Sequence, residues 1–443
     1  MNALALRLYR LALLLLVPLA LLHLWWRGRR LPAYRRHWGE RFGLAPGAIA
    51  APGQRPTVWI HAVSVGETRA AQPLVEALLA RPSPPQVLMT HGTPTGRATG
   101  EQLFGTRVAR CYLPYDLPGA VARFLGRHRP VAGILMETEL WPHLLLEARR
   151  RGVATFLVNA RLSEASARGY RRVARLSRLA LEALDGVAAQ APADAARLEA
   201  LGARHVVVTG SLKFDVSPPD SARDAGRRLR ALAGARRPVL LAASTREGEE
   251  ALLLDQLPQL APPETLLVLV PRHPQRFEAV AALLSGAGVS FQRRSAHEPV
   301  RPETRVLLGD SMGEMFAYYA AADVAFVGGS LLPLGGQNLI EACAVGTPVL
   351  VGPHTFHFAD IAAQACESGA ALVVADAGLL MRQASALLAD PDRRAAMGQA
   401  GLDFTRRHQG ATARVMAMLD PCLPREPGPA AAREPGSRSP PPR

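Results

Sequence analysis

Three groups of residues have the types and spacing to do chemistry: carboxylates that follow apolar runs, isolated basic residues in similar places, and a glycine-rich stretch followed by an amide and an acid. Glu67 stands in AVSVGET, just after the apolar run 58–61, where Gly66 permits a tight turn and an amphipathic stretch begins. A carboxylate in that place has two readings: a first-turn acid that complements a helix dipole, or a general base that accepts the proton of an attacking hydroxyl. Glu137 and Glu139 straddle Thr138 in METELWP, at the end of a hydrophobic run. In an extended segment the two would share a face, and in a helix starting there they would diverge. Carboxylates after a buried strand are expensive without partners, so a basic partner is expected.

NARLSE (Asn159 to Glu164) and GSLKFD (Gly210 to Asp215) close the first half of the chain. Lys213, between Leu212 and Phe214, is either a solvated surface charge or a binder of phosphate or carboxylate. In the second half, VLVPRHPQRF places Pro271, Arg272 and His273 straight after a hydrophobic run. GDSMGEM puts Met312, Gly313 and Glu314 between a strand and a helix, where backbone N–H groups can meet an anion. The strongest signal is VGGSLLPLGGQNLIEA, in which Gly328-Gly329 and Gly335-Gly336 flank a loop. Asn338 and Glu341 then sit three apart, on one face of the helix expected to follow. Glycines admit a ligand closely and a carboxylate can accept from both ribose hydroxyls, so nucleotide binding is expected at Asn338 and Glu341. His354 and His357 lack a ligand set such as H-E-x-x-H, and no metal site is expected.

The elements that must position these residues are legible in the alternation of short aliphatic runs with helix-length Ala/Leu/Arg stretches, the pattern of βαβ units around parallel sheets. One series of strands is expected at 57–61, 86–91, 131–137, 155–159, 186–190 and 206–209, and a second at 238–243, 265–270, 306–308, 324–327, 349–351 and 371–374. The fold class is therefore α/β, with two Rossmann-like domains, 31–215 and 216–424, joined through VSPPDSARD. Ligands of open parallel sheets bind beyond the carboxyl ends of the strands, so the two sets of loops are expected to face each other across a cleft. The tail, 425–443, rich in Pro, Gly and Arg, is expected to be disordered.

Ahead of both domains, residues 1–30 contain LALLLLVPLALLHLWW with arginines on either side, denser after it, which reads as a membrane anchor with the bulk of the chain on the cytoplasmic face. The segment either spans the bilayer or lies along it. A formal charge of +15 suits anionic partners, a membrane surface or a phosphorylated substrate. The arginines are scattered and no zinc-finger spacing or aromatic single-strand reader is present, which argues against nucleic acid. Four well-separated cysteines signal neither a disulfide framework nor a thiolate metal site.

RGRRLPAYRRHWGERFG, AVSVGET, METELWP, NARLS, GSLKFD, PRHPQRF, MGEM and GGQNLIEA occur in one order, and through them the sequence resembles the 3-deoxy-D-manno-octulosonic acid (Kdo) transferase family from the anchor to about Leu423. The resemblance implies a GT-B fold and an inverting transfer of Kdo from CMP-Kdo to a lipid A precursor, lipid IVA, in lipopolysaccharide core synthesis at the inner membrane. It implies no cofactor beyond the donor and no obligatory metal. Carried residue by residue, Glu67 matches the proton acceptor, and Glu137 and Lys213 match transition-state stabilisers. Pro271 and Arg272, Met312 to Glu314, and Asn338 to Glu341 match the stretches that bind CMP. The first domain would then take the acceptor and the second the CMP-sugar. One departure is Gln337, where the family commonly has His. Two rivals remain: a transferase or epimerase using a UDP-sugar on the same fold, and a membrane-tethered nucleotide-binding module without catalysis.

Overall fold

The computed structural model of the chain describes residues 2–44, 55–215, 218 and 220–423. The expected tail, 425–443, lies outside them. Among the described residues two compact units result, one formed by the chain up to Asp215 together with Gly410 to Leu423, the other by the chain between them. The second unit therefore ends at Gln409 and not at the expected 424. The reason is the helix Ala411–Leu419, whose Ala411, Val415 and Leu419 are buried in a first-unit core with Val58, Ile60 and Leu74. Asp215 holds its start by accepting the Gly410 N–H at 2.7 Å.

The first unit contains β1 (Thr57–His61), β2 (Gln86–His91), β3 (Ala109–Tyr112), β4 (Pro130–Met136), β5 (Ala154–Ala160), β6 (Gly186–Ala189) and β7 (Val206–Val208). They form one parallel sheet in the order β3-β2-β1-β4-β5-β6-β7. Helices cover both faces, and so Val58, Trp59 and Ile60 are buried on successive positions and the strand reads as a continuous apolar run.

The second unit contains β8 (Val239–Thr245), β9 (Leu266–Pro271), β10 (Phe291–Arg293), β11 (Val306–Leu308), β12 (Val324–Val327), β13 (Val349–Val351) and β14 (Ala371–Val373). Their parallel order is β10-β11-β9-β8-β12-β13-β14. β3 and β10 were not among the expected strands. Both are sheet edges, with arginines inside them (Arg110, Arg293), and so lack the apolar run that marks a central strand. Part of the expected linker is also structured, since the helix Asp220–Ala233 starts within VSPPDSARD.

The N-terminal helix, Asn2–Arg27, is long and apolar enough to cross a membrane. One face touches the first unit: its contacts run to the helix Ala174–Leu181, Tyr9 donates its hydroxyl to Asp116 Oδ2 at 3.0 Å, and Leu24 is buried. Leu4, Leu8, Leu11, Leu15, Leu19 and Leu22, spaced by threes and fours, are exposed. Arg29 and Arg35 lie over the Trp25 ring at the helix end.

Candidate active site

In the first sheet the chain order reverses between β1 and β4, so the loops after these strands leave adjacent carboxyl ends, the usual ligand-binding position of an open parallel sheet. Glu67 is on the first of them, in the first turn of the helix Val65–Ala70. Ser64 caps that helix, and its Oγ accepts the Glu67 N–H at 3.3 Å. In return Glu67 accepts the Ser64 hydroxyl on Oε1 at 2.9 Å and the Val63 N–H on Oε2 at 2.7 Å. Glu67 is thus a first-turn acid paired with its N-cap serine, and its carboxylate is held and buried, 9% exposed. Burial pushes its pKa up to about 7; the Glu137 and Glu139 charges add to the rise, and the Val63 and Ser64 hydrogen bonds oppose it.

Glu137 follows β4 directly, and its φ of 59° turns the chain through the left-handed region. The segment is thus neither extended nor helical at this point, because the next helix starts only at Pro142. The expected basic partner is Lys213, whose Nζ is 3.4 Å from Glu137 Oε1. Lys213 sits on a 3-10 turn, Leu212–Asp215, that is held by Asn159. Asn159 Oδ1 accepts the Leu212 N–H at 3.0 Å and the Ser211 hydroxyl at 3.2 Å. Glu139 is raised by burial and by the Glu137 charge. Glu67 and Glu137 accordingly follow neighbouring strands of one sheet, and Lys213, on the turn after the edge strand β7, reaches Glu137.

In the second sheet the reversal falls between β8 and β12, with β9 on the other side of β8. Pro271 is buried at the end of β9, and Arg272 follows, its N–H on the Thr245 carbonyl and its Nε on Gln337 Oε1 at 3.1 Å. The family departure at Gln337 therefore lands on Arg272. His273 is pushed down, by burial first and then by the charges of Arg272, Arg246 and Arg276. Glu249, fully buried, accepts four backbone N–H groups, those of Arg246 and Gly329 on Oε2 and those of Ser330 and Leu331 on Oε1. It shapes the turn after β12.

Met312, Gly313 and Glu314 lie in the loop from β11 to the helix Met315–Ala321. Met312 is exposed, Gly313 has φ 82°, and Glu314 is paired with Arg294 at 3.0 Å. The expectation for Asn338 needs correction. The following helix starts at Ile340, so Asn338 precedes it and is not on a helical face shared with Glu341. Its Oδ1 instead accepts the Ile340 N–H at 3.1 Å, and its Nδ2 reaches Glu341 Oε1 at 3.5 Å. Leu339 and Ile340 bury their side chains, which leaves only their backbone to meet a ligand. His357 N–H is on the Gly335 carbonyl and His354 N–H on that of Ser330. Among the described residues no group of three or more His, Cys, Asp or Glu could hold a metal ion.

Sequence reasoning passed over Ser64, Asn159 as a brace, and Glu249. The S-x-x-E spacing of Ser64 and Glu67 was a signal for the first. Nothing in the sequence marks the other two, most of whose partners are more than fifty residues away.

Residues 36–216 match the family model described as 3-deoxy-D-manno-octulosonic-acid transferase, and residues 252–404 match that of glycosyl transferases group 1. The chain is 51% identical to the 3-deoxy-D-manno-octulosonic acid transferase of Bordetella pertussis over 94% of its own length and 99% of that protein. It is 37% identical to the protein of the same name from Haemophilus influenzae, over 94% and 98%. Among solved structures, a glycosyltransferase from Rickettsia africae superposes with TM-score 0.55 over 83% of this chain and 99% of that one. At 11% identity that likeness shows the fold alone, which is GT-B.

Proposed function

The chain belongs to the 3-deoxy-D-manno-octulosonic acid (Kdo) transferase family, and from that premise we propose that it transfers Kdo from CMP-Kdo to a lipid A precursor, lipid IVA, with inversion. The observation that carries the mechanism is the carboxylate of Glu67, buried, oriented by two hydrogen bonds and poised near neutrality at the carboxyl end of β1.

Glu67 takes the proton from an acceptor hydroxyl as that oxygen bonds to the anomeric carbon of Kdo. The bond from that carbon to the CMP phosphate oxygen breaks, and CMP leaves with the electron pair. The transition state resembles an oxocarbenium ion with negative charge growing on the departing phosphate. Glu137 and Lys213, 3.4 Å apart, act as its stabilisers, the first toward the developing cation and the second toward anionic oxygen. CMP is held by Pro271, Arg272, Met312 to Glu314 and Asn338 to Glu341. The Arg272 guanidinium meets phosphate charge, so transfer proceeds with a chelator present.

The N-terminal helix serves as the inner-membrane anchor, its exposed leucines toward lipid and its arginine flank on the cytoplasmic side, which concentrates an anionic lipid acceptor near the enzyme. The test is mass spectrometry of the product formed from CMP-Kdo and a tetraacylated lipid A precursor. A product heavier by Kdo is expected from the wild type and far more slowly from Glu67→Ala, with CMP still bound by both. Equal turnover in the variant removes the base.

A further inference from the structure

Arg246 lies on the loop leaving β8, at the reversal of the second sheet, and carries no role in the reading above. Two residues earlier Ser244 has φ 55°, a left-handed conformation that is strained for serine and recurs at functional sites. That turn, with the Arg246 N–H bonded to Glu249 at 2.9 Å, fixes where the arginine leaves the backbone. Its side chain runs beside Gly329: a Cβ placed on that glycine would stand 3.5 Å from Arg246 Cγ and 3.2 Å from Gln337 Nε2. Gln337 in turn accepts from Arg272, so the two arginines converge on one side-chain-free stretch of the β12 turn.

Their charges are not equally satisfied. Arg276, on the loop after β9, is neutralised by Glu250 at 2.7 Å. Arg246 is half-buried, yet its guanidinium forms no hydrogen bond or ion pair with another described residue. A partly desolvated guanidinium without an internal counter-charge is unfavourable unless a ligand supplies the anion.

We propose that Arg246 binds an anionic oxygen of the sugar-nucleotide donor, beside Arg272. This rests on the donor reading given above. CMP-Kdo offers two such groups, the bridging phosphate and the carboxylate of the ulosonic acid, and either presents oxygens to a guanidinium fork.

The test uses the full-length chain in detergent and compares wild type, Arg246→Lys and Arg246→Ala, measuring KM for CMP-Kdo, Kd for CMP by calorimetry, and Tm. Arg246→Ala is expected to raise KM for the donor by on the order of tenfold to a hundredfold, the loss of one charge-assisted contact. Arg246→Lys recovers part of it, and Tm stays at the wild-type value because the guanidinium has no internal partner to lose. A parallel rise in the Kd for CMP identifies the phosphate as the bound group, and an unchanged Kd identifies the carboxylate. An active wild type with an unaltered KM in Arg246→Ala overturns the proposal alone, as does a raised KM that appears only with a lowered Tm. Wild type that neither turns over CMP-Kdo nor binds CMP overturns the donor reading and this proposal together.

Discussion

Asn159 Oδ1 accepts the Leu212 N–H at 3.0 Å, and this bond ties the end of β5 to the turn that presents Lys213 to Glu137. Asn159 is fully buried with φ 55°, a conformation asparagine tolerates better than most residues. Asn159→Ala removes the acceptor of two hydrogen bonds and adds left-handed strain. It should lower stability by about 2 kcal/mol, read from the urea midpoint. With Lys213 no longer braced, kcat should fall while the Kd for CMP is unaltered, since CMP is assigned to the other unit. Wild-type kcat in a folded variant would show that the brace is irrelevant to turnover.

The proposed base, Glu67, can accept a proton only when ionised, and its pKa stands near 7. The rate should therefore rise with pH and level off above about 7, and Glu67→Ala should lose that limb together with roughly a hundredfold to ten-thousandfold of rate. Stability carries the opposite sign. A folded pKa above the unfolded value of 4.5 contributes stability that is fully present below that value and is lost as pH rises through about 7. The stability advantage of wild type over Glu67→Gln should accordingly shrink from about pH 5 to about pH 8, by on the order of 3 kcal/mol. A flat difference across that range would show that burial does not raise the carboxyl.

Central strands and the candidate residues at their ends were legible because buried parallel strands are continuous apolar runs and the candidates follow them by one to six residues: Glu137 after Met136, Arg272 after Pro271, Glu67 after His61. β3 and β10 were not, since Arg110 and Arg293 interrupt their short apolar runs, whereas the apolar edge strands β7 and β14 were legible. The place of Ala411–Leu419 in the first unit was also hidden, because its amphipathic pattern says that a face is covered but not by which sheet. Asn338 misled for a related reason: three-residue spacing implies a shared helical face only if the helix has already begun, and here asparagine accepts a backbone N–H just before it.

Glu249 satisfies four backbone donors and is fully buried. Glu249→Gln sets an amide NH2 against two of those donors, and Glu249→Ala leaves all four without their acceptor. Either change should cost on the order of 3 kcal/mol by urea titration and weaken CMP binding, because the turn from Gly329 to Leu331 loses its shape. If CMP binds either variant as tightly as wild type, the carboxylate supports the fold but not the nucleotide turn.

The leucine face of the N-terminal helix yields the last expectation. Tyr9, in the third turn, is bonded to Asp116, so the helix lies along the first unit with Leu4, Leu8, Leu11, Leu15, Leu19 and Leu22 pointing away from it. A helix crossing the bilayer would carry Tyr9 into hydrocarbon and break that bond. Burying each leucine in the acyl boundary is worth about 2 kcal/mol, and the arginines after Trp26 add attraction to anionic headgroups. Leu8, Leu15 and Leu19 all changed to Glu should therefore leave the chain in the supernatant when it is sedimented with phosphatidylglycerol vesicles, where wild type pellets. Tyr9→Phe should still pellet, because its leucine face is intact. If the triple variant pellets as wild type does, the leucine face is not what holds the protein to lipid.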